Sequence, residues 1–193
     1  MTPGTFRRPL ADRGHDLYET PPEAVHALLK VENIPSRVWE PACGPGSIVR
    51  VLRERGRDVL ATDLVQYYST YQDAGDADFL IPGGVESRGQ DRAIVTNPPY
   101  KLAHAFVRRA LELSPYVAML LRLSFLESER RRDILDEGCL ARVHVFRNRL
   151  PMMHRAGWSG PKASSATAYA WFVWLRQWRG PAQINRISWE ATQ

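Results

Sequence analysis

The chain has 193 residues, 44% hydrophobic and 24% charged, a profile typical of one globular domain with a substantial buried core. No apolar run approaches the roughly 20 residues that a membrane-spanning helix needs. The polar start of the chain lacks the apolar core of a signal peptide, so we expect a cytoplasmic protein. The formal net charge of +5 favours a polyanionic partner without establishing one.

The predicted elements begin after a polar stretch, 1–17, which we expect to be a mobile arm ahead of a single domain over 18–193. Thr20-Pro21-Pro22-Glu23 predicts a helix start, with Thr20 as the N-cap and Glu23 closing a capping box. This first helix is expected to continue through Leu29.

Strands and helices then alternate along the chain. The first half contains a strand over 37–40, a glycine-rich turn over 41–47, a helix over 48–55, a strand over 58–62 and a loop-rich stretch over 65–92. The second half contains a strand over 93–96, a helix over 102–113, a strand over 116–123, a charged helix over 125–137, and strands over 141–146 and 168–175. The alternation predicts an α/β fold with a doubly wound, mostly parallel sheet. Because no helix separates the last two strands, we expect them to form an antiparallel edge.

The most informative motif is Asn97-Pro98-Pro99-Tyr100, which directly follows the predicted strand over 93–96. The two prolines have fixed φ and no N–H, so the strand must end here, while their carbonyls stay free to accept hydrogen bonds. The Asn97 side-chain oxygen can accept one more, and Tyr100 supplies a ring face for stacking. The motif therefore suits a flat, amino-bearing group; the alternative is a simple proline turn.

Three further features fall at the carboxyl ends of the predicted strands, where ligands bind in such sheets. Gly44 and Gly46 lie in a tight turn that lets the backbone approach a ligand closely. Asp63 ends the next strand, where an acid suits a ribose diol, and Asp78 with Phe79 could bind the edge and face of an adenine. The alternatives are a tight connection and ordinary surface aspartates.

These residues carry a family resemblance. Glu40-Pro41-Ala42-Cys43-Gly44-Pro45-Gly46 resembles motif I of S-adenosylmethionine-dependent methyltransferases, and Asn97-Pro98-Pro99-Tyr100 matches the catalytic motif of the amino-group methyltransferases. Tyr18-Glu19-Thr20-Pro21 resembles the upstream element that covers the methionine part of the cofactor in DNA adenine enzymes. The order of the three resembles the gamma arrangement of DNA adenine-N6 methyltransferases, so the fold expected is the Rossmann-like class I methyltransferase fold.

The resemblance implies the site residues and their roles. The cofactor, S-adenosylmethionine, would be bound by Tyr18, Thr20, Pro21, Glu40, Pro41, Ala42, Cys43, Gly44, Gly46, Asp63, Leu64, Asp78, Phe79 and Asn97. The catalytic residues would be Asn97, Pro98, Pro99 and Tyr100, which hold the target base. Asp63 would take the ribose hydroxyls, and Asp78 and Phe79 would meet the cofactor adenine. No metal is expected, because the methyl donor is already activated.

The chain departs from this family in lacking a large target-recognition region after the catalytic motif. The only candidate is the segment 150–166, in which Arg155, Trp158 and Lys162 could contact nucleic acid. An ordinary hairpin loop is the equal alternative. The compact layout resembles phage- or prophage-encoded methyltransferases.

The cysteines and the C-terminal tryptophans each admit two interpretations. Cys43 and Cys139 lack metal-ligand spacing and lie outside any catalytic loop, which favours buried small residues over a cytosine-C5 nucleophile. Trp171, Trp174 and Trp178 could form a base-stacking platform, but the strand-like stretch around them favours sheet packing.

The leading expectation is therefore methylation of the N6 amino group of adenine in DNA. Methylation of adenine in RNA, or of a protein glutamine amide by the same tetrapeptide, remains open. So does a nucleic-acid-binding protein that has the fold without the activity, although both main motifs are intact here.

Overall fold

The computed structural model describes residues 19–67, 69–83, 86–152 and 167–190. The expected arm over 1–17 and the site candidates Tyr18, Arg155, Trp158 and Lys162 lie outside these residues. Within the described part of the chain, no helix has the length and apolar character needed to cross a membrane.

The elements follow the predicted alternation. The helices are α1 at Pro22–Val31, α2 at Ser47–Glu54, α3 at Glu86–Gly89, α4 at Ala103–Leu113 and α5 at Arg132–Leu135. The strands are β1 at Arg37–Glu40, β2 at Asp58–Ala61, β3 at Ala93–Thr96, β4 at Tyr116–Arg122, β5 at Leu140–Phe146, β6 at Tyr169–Leu175 and β7 at Gln183–Ile187. Both β1 and β3 have the predicted bounds.

The strands form one seven-stranded sheet in the order β2-β1-β3-β4-β6-β5-β7. Strands β1 to β4 pair in parallel, and β6 runs antiparallel to both β4 and β5. The expected mostly parallel sheet and the antiparallel pairing of the two long C-terminal strands are confirmed. Because β5 is parallel to β4, the carboxyl ends of β1 to β5 meet along one side of the sheet, which we call the C-terminal edge; the N-terminal edge is opposite.

Helices cover both faces of the sheet, as a doubly wound fold requires. Helices α1 and α2 pack against one face, where Leu28 and Leu52 join the core, and α4 packs against the other through Val107. Trp171 and Trp174 are fully buried, and their indole nitrogens donate to the carbonyls of Ala24 and Ile134 at 2.9 and 2.8 Å. For these two tryptophans, the prediction of sheet packing is confirmed.

The predicted capping box at the first helix is wrong. Helix α1 begins at Pro22, with Pro21 as the N-cap and no side-chain cap. Thr20 does not cap the helix. Its side chain is only 3% exposed and lies on the wall of the cleft described below.

The charged helix predicted over 125–137 is also wrong. The chain instead forms two 3₁₀ turns, Leu123–Leu126 and Glu129–Arg131, before the short α5. Ser128 breaks the helix: its φ is 157°, and its hydroxyl accepts a hydrogen bond from the Arg130 N–H. A serine that bonds the local backbone competes with helix formation in this way.

Strand β7 was not predicted. It pairs in parallel with β5 along one side, and only Ile187 of its five residues is buried. A strand that is largely exposed lacks the alternation of apolar and polar residues by which a strand is recognised in sequence.

Candidate active site

A cleft of about 360 Å³ opens at the C-terminal edge of the sheet, beside the ends of β1, β2 and β3. Its size lies within the usual range for small-molecule sites. The sequence-predicted residues on its wall are Thr20, Glu40, Pro41, Ala42, Cys43, Gly44, Asp63, Leu64, Asp78, Phe79, Asn97 and Pro99. Four predicted residues, Pro21, Gly46, Pro98 and Tyr100, are described by the structure but do not line the cleft.

The glycine-rich turn is held to the next strand by backbone hydrogen bonds and by Asp63. Gly44 has φ of 51°, a conformation that favours glycine. Its N–H donates to Asp63 Oδ2 at 2.8 Å, and the Val65 N–H donates to Oδ1 at 2.9 Å. Each carboxylate oxygen has a second lone-pair site, so Asp63 can organise the turn and still accept from a ligand hydroxyl.

Gly46 serves the packing of the turn. Its φ is 98°, it is the N-cap of α2, and a Cβ at this position would overlap the Tyr71 side chain. A glycine is therefore required here by tertiary packing and backbone conformation.

Glu40 is the most unusual acid of the cleft. It is 1% exposed, and its Oε2 has no hydrogen-bond partner in the described structure. Burial and, next, the negative charge of Asp63 raise the pKa of Glu40 well above its usual value, while a hydrogen bond from the Val49 backbone opposes the rise. A buried carboxyl with an open acceptor atom is suited to a ligand that brings a positively charged donor.

The wall of the cleft carries strongly unequal charge. It has four acidic residues, Glu19, Glu40, Asp63 and Asp78, and Lys101 is its only basic residue among the part of the chain described. In a protein of net charge +5, this local excess of carboxyl groups favours a cationic ligand.

Phe79 combines a core position with a place on the cleft wall. Its ring packs edge-on against Trp39, with centroids 5.2 Å apart, and in a tilted arrangement against Phe106, with centroids 5.1 Å apart. The neighbouring Asp78 accepts the Leu80 N–H through Oδ1 at 2.9 Å. The aromatic contacts fix the Phe79 ring, so it offers a preformed apolar surface.

The tetrapeptide after β3 divides its roles among its residues. Asn97 and Pro99 line the cleft. The expectation that both proline carbonyls are free is wrong for Pro99, whose carbonyl accepts the Leu102 N–H at 2.9 Å as a 3₁₀ turn begins. The Pro98 carbonyl accepts no hydrogen bond from any described residue. One proline carbonyl therefore remains as an acceptor.

Tyr100 is half-buried and is not among the residues that line the cleft. Its ring centroid is 5.7 Å from that of Tyr169, and the Arg122 guanidinium lies over the ring at 4.9 Å from the centroid. Burial raises the pKa of the Tyr100 hydroxyl, as do the charge and hydrogen bond of Tyr169. The phenol therefore stays neutral and acts as an aromatic surface.

Cys43 and Cys139 are both free thiols. Cys43 is only 4% exposed, and burial followed by the charge of Glu40 raises the pKa of its thiol. A thiol held protonated is a poor nucleophile, which agrees with the interpretation of Cys43 as a buried small residue.

Sequence reasoning missed part of the cleft wall. The additional lining residues are Glu19, Pro45, Ser47, Ile48, Val65, Tyr67, Ala77, Leu80, Lys101, Leu102 and Phe106. Most of them lie next to a predicted residue in the sequence, and this proximity was the signal that could have identified them. Phe106 was predicted only as a helix residue, and its place on the wall depends on how α4 packs.

No protein-family model and no curated protein matches the chain. Among solved structures, it is similar to a protein of Vibrio vulnificus YJ016 described as a modification subunit of a type I restriction enzyme (TM-score 0.60, 14% identity, 86% of this chain). This chain covers 45% of that protein's length. It is also similar to PH1948 of Pyrococcus horikoshii, described as an RNA methyltransferase (TM-score 0.60, 13% identity, 90% of this chain and 92% of that one).

A third similar structure is magnesium protoporphyrin IX methyltransferase of Synechocystis PCC 6803 with bound S-adenosylmethionine (TM-score 0.51, 15% identity, 79% of this chain and 76% of that one). At these identities the likeness shows the fold. The chain therefore has the Rossmann-like α/β fold that these methyltransferases share.

Proposed function

We propose that this chain transfers the methyl group of S-adenosylmethionine to the exocyclic N6 amino group of adenine in DNA. The observation that carries the proposal is the position of Asn97, at the end of β3, in the same cleft as the glycine-rich turn and acids that follow β1 and β2. A methyl donor held by the turn and an amino-bearing base held by Asn97 would meet in that cleft.

The cleft fits S-adenosylmethionine, which carries a sulfonium and an ammonium group. The open Oε2 of Glu40 would accept a hydrogen bond from the ammonium group, and Asp63 would accept from the ribose hydroxyls. Leu64 and Leu102, 54% and 47% exposed, offer apolar surface for the adenine ring. When bound, this cofactor supplies an activated, electrophilic methyl group.

We propose that the target base is held by two neighbouring oxygens, those of the Asn97 side chain and the Pro98 carbonyl. The lone pair of an exocyclic adenine nitrogen is delocalised into the ring, which makes the nitrogen a poor nucleophile. Hydrogen bonds from its two N–H groups to the Asn97 side-chain oxygen and the Pro98 carbonyl would favour a pyramidal nitrogen that faces the methyl group. Such positioning can lower a barrier by roughly 7–11 kcal/mol. The methylated nitrogen loses its proton readily, so no strong general base is required.

A duplex hides this amino group, so the base must leave the stack at a cost of about a few kcal/mol. Tyr100 is the aromatic residue that ends the tetrapeptide containing Asn97 and Pro98, and Tyr169 supports its ring. Stacking on Tyr100 would offset part of the cost of flipping.

Charges outside the cleft support a nucleic acid as the partner. Lys101, Arg122, Arg147 and Arg149 are exposed and follow or end β3, β4 and β5 at the C-terminal edge. None of the four forms an ion pair with a described residue. Unpaired cations beside a base site are suited to phosphate groups.

The choice of DNA rests on the upstream element. Glu19 and Thr20 line the cleft, and the element Tyr18-Glu19-Thr20-Pro21 resembles the one that covers the methionine part of the cofactor in the DNA adenine enzymes. RNA is the second candidate, because PH1948, of similar fold and nearly the same length, is described as an RNA methyltransferase.

The test is methyl transfer from labelled S-adenosylmethionine to duplex DNA, single-stranded DNA, RNA and a glutamine-bearing release factor. We expect duplex DNA to be labelled on adenine N6. Asn97→Ala should lower kcat by at least about 100-fold, as the loss of a reaction-centre hydrogen bond does, and leave the cofactor Kd within about threefold, by calorimetry.

Asn185→Ala is the matched control, since Asn185 is an exposed residue of β7, away from the cleft. It should behave as the unmodified chain.

If only RNA or only the release factor is labelled, that molecule and not DNA is the substrate. Full activity of Asn97→Ala would refute the mechanism, and failure to bind the cofactor would favour a nucleic-acid-binding protein without methyl transfer.

A further inference from the structure

Arg122 occupies the ring on which the target base is proposed to stack. It is the last residue of β4, and its partner across the sheet is Tyr169. Its guanidinium carbon lies 4.9 Å from the Tyr100 ring centroid. A planar, positively charged group therefore covers a face of the aromatic ring that follows the catalytic asparagine.

A second arginine on an aromatic ring shows how differently Arg122 is held. Arg131 lies over the Phe125 ring at 4.4 Å, and its Nη1 also donates to the carbonyls of Phe125 and Glu127 at 3.0 and 2.8 Å. The Arg122 side chain has no hydrogen bond or ion pair with a described residue. Arg131 is thus anchored in place, whereas the ring is the one polar or aromatic contact of Arg122 in the described structure.

Such an arrangement is easily displaced. An exposed cation over an aromatic ring is stabilised by about 0.5–1 kcal/mol, whereas a base stacked on an aromatic side chain contributes about 1–3 kcal/mol. Arg122 is exposed and at the end of its strand, so its side chain can turn outward without disturbing the core. An incoming base can therefore take its place on Tyr100.

We propose that Arg122 covers the stacking face of Tyr100 in the free protein and moves, when the target base enters, to a phosphate beside the flipped nucleotide. This inference rests on the proposed function. The guanidinium fork matches phosphate oxygens and is weakly hydrated, so the same side chain suits both positions. Arg122 is then a substrate-binding residue that keeps the base site covered until nucleic acid arrives.

The first test compares Arg122→Ala and Arg122→Lys with the unmodified chain on a duplex DNA that the latter methylates. Loss of one phosphate contact should reduce the slope of log K against log salt concentration by about one in the Ala variant, and the Lys variant should retain it. KM for DNA should rise about tenfold in Arg122→Ala, with kcat within about twofold. Arg55→Ala, which removes an exposed arginine at the end of α2, is the control.

The second test follows the side chain itself by NMR. In the free protein, the Arg122 Nε–H resonance should be shifted upfield by the Tyr100 ring and should be absent from Arg122→Lys. Addition of the duplex DNA together with S-adenosylhomocysteine should move it downfield, because the guanidinium then leaves the ring.

The outcomes separate this inference from the proposed function. If the unmodified chain methylates no DNA, the proposed function fails and this inference falls with it. If the unmodified chain methylates DNA but Arg122→Ala matches Arg55→Ala in KM and salt dependence, the phosphate contact is refuted alone. An Nε–H resonance that keeps its upfield shift in the DNA complex would refute the displacement.

Discussion

The sheet has a buried carboxyl group near each edge: at the N-terminal edge, that of Glu32 is matched by partners from the same chain, whereas at the C-terminal edge that of Glu40 keeps an oxygen without a partner in the described structure. Glu32, directly after α1, is 7% exposed and accepts hydrogen bonds from His144 Nε2 at 2.7 Å, Arg142 Nη2 at 2.9 Å and the Tyr116 hydroxyl at 3.1 Å. Arg142 Nε also bonds the carboxylate. Each carboxylate oxygen thus has two donors.

Glu40, at the other end of the sheet, is more deeply buried and still has an oxygen without a partner in the described structure. Lys101 and Arg122 are likewise without ion pairs there. An unpaired buried carboxyl costs stability, and among the described residues the one such carboxyl lies beside the cleft, where the proposed cofactor would pair with it. The comparison therefore separates a carboxylate that stabilises the fold, Glu32, from a carboxyl group that we propose binds a ligand, Glu40.

The largest effect is expected from breaking the matched cluster. Burial alone would raise the pKa of Glu32, but the hydrogen bonds and charges of His144 and Arg142 outweigh it and lower the pKa to about 2. Removing one partner of a buried pair costs about 3–5 kcal/mol, so Glu32→Gln should lower the free energy of unfolding by that amount in urea titrations. The cofactor Kd of the folded variant should not change.

The same cluster makes a pH prediction. Because the folded-state pKa of Glu32 lies below the unfolded value of 4.5, its contribution is complete above pH 4.5 and is lost as the pH falls towards 2. The loss should be about 3 kcal/mol and absent from Glu32→Gln. Glu54→Gln, an exposed residue at the end of α2, is the control. Equal unfolding curves for the Glu32 and Glu54 variants would contradict the distinction between the two edges.

An intermediate effect is expected at Glu40. Its pKa is raised in the free protein by burial and by Asp63, so a cationic ligand should displace its proton on binding. S-adenosylmethionine affinity should then increase with pH by up to about tenfold per unit below that pKa. Calorimetry in buffers of different ionisation enthalpy measures the proton release directly.

Glu40→Gln should bind the cofactor more weakly and release no proton, while Glu54→Gln should keep the proton release. Because Asp63 interacts with Glu40, the titration belongs to the pair, and Asp63→Asn should reduce the pH dependence without removing it. Unchanged proton release in Glu40→Gln would show that the open oxygen does not meet the cation.

The smallest effect is expected from an ion pair at the N-terminal edge whose acidic partner is exposed and whose arginine is 12% exposed. Asp58 is 62% exposed and pairs with Arg92 at 2.9 Å. Surface pairs contribute about 0–1 kcal/mol, so Asp58→Ala should lower the free energy of unfolding by no more than this, and less in 1 M salt. If Asp58→Ala lowered the free energy of unfolding as much as Glu32→Gln, burial would not explain the difference expected between the Asp58–Arg92 and Glu32–Arg142 pairs.

Local patterns predicted most of the sheet and much of the cleft. The bounds of β1 and β3 were predicted because short apolar runs end at a glycine turn and at two prolines, signals that act over a few residues. Asp63 and Asn97 were placed at strand ends for the same reason, and both line the cleft. Strand β7 could not be predicted, because its stability comes from pairing with β5 rather than from an apolar pattern of its own.

The sequence by itself determined the order of strands and turns and which residues follow β1, β2 and β3, because fixed proline φ, glycine turns and apolar runs are local properties. Only the tertiary structure decided that the Pro99 carbonyl accepts a hydrogen bond within a turn, whereas the Pro98 carbonyl accepts none from a described residue. It also decided that Gly46 packs against Tyr71 and that Arg122 lies over the Tyr100 ring. These contacts depend on which chain segments the folded sheet brings side by side, and short-range pattern carries no information about such distant neighbours.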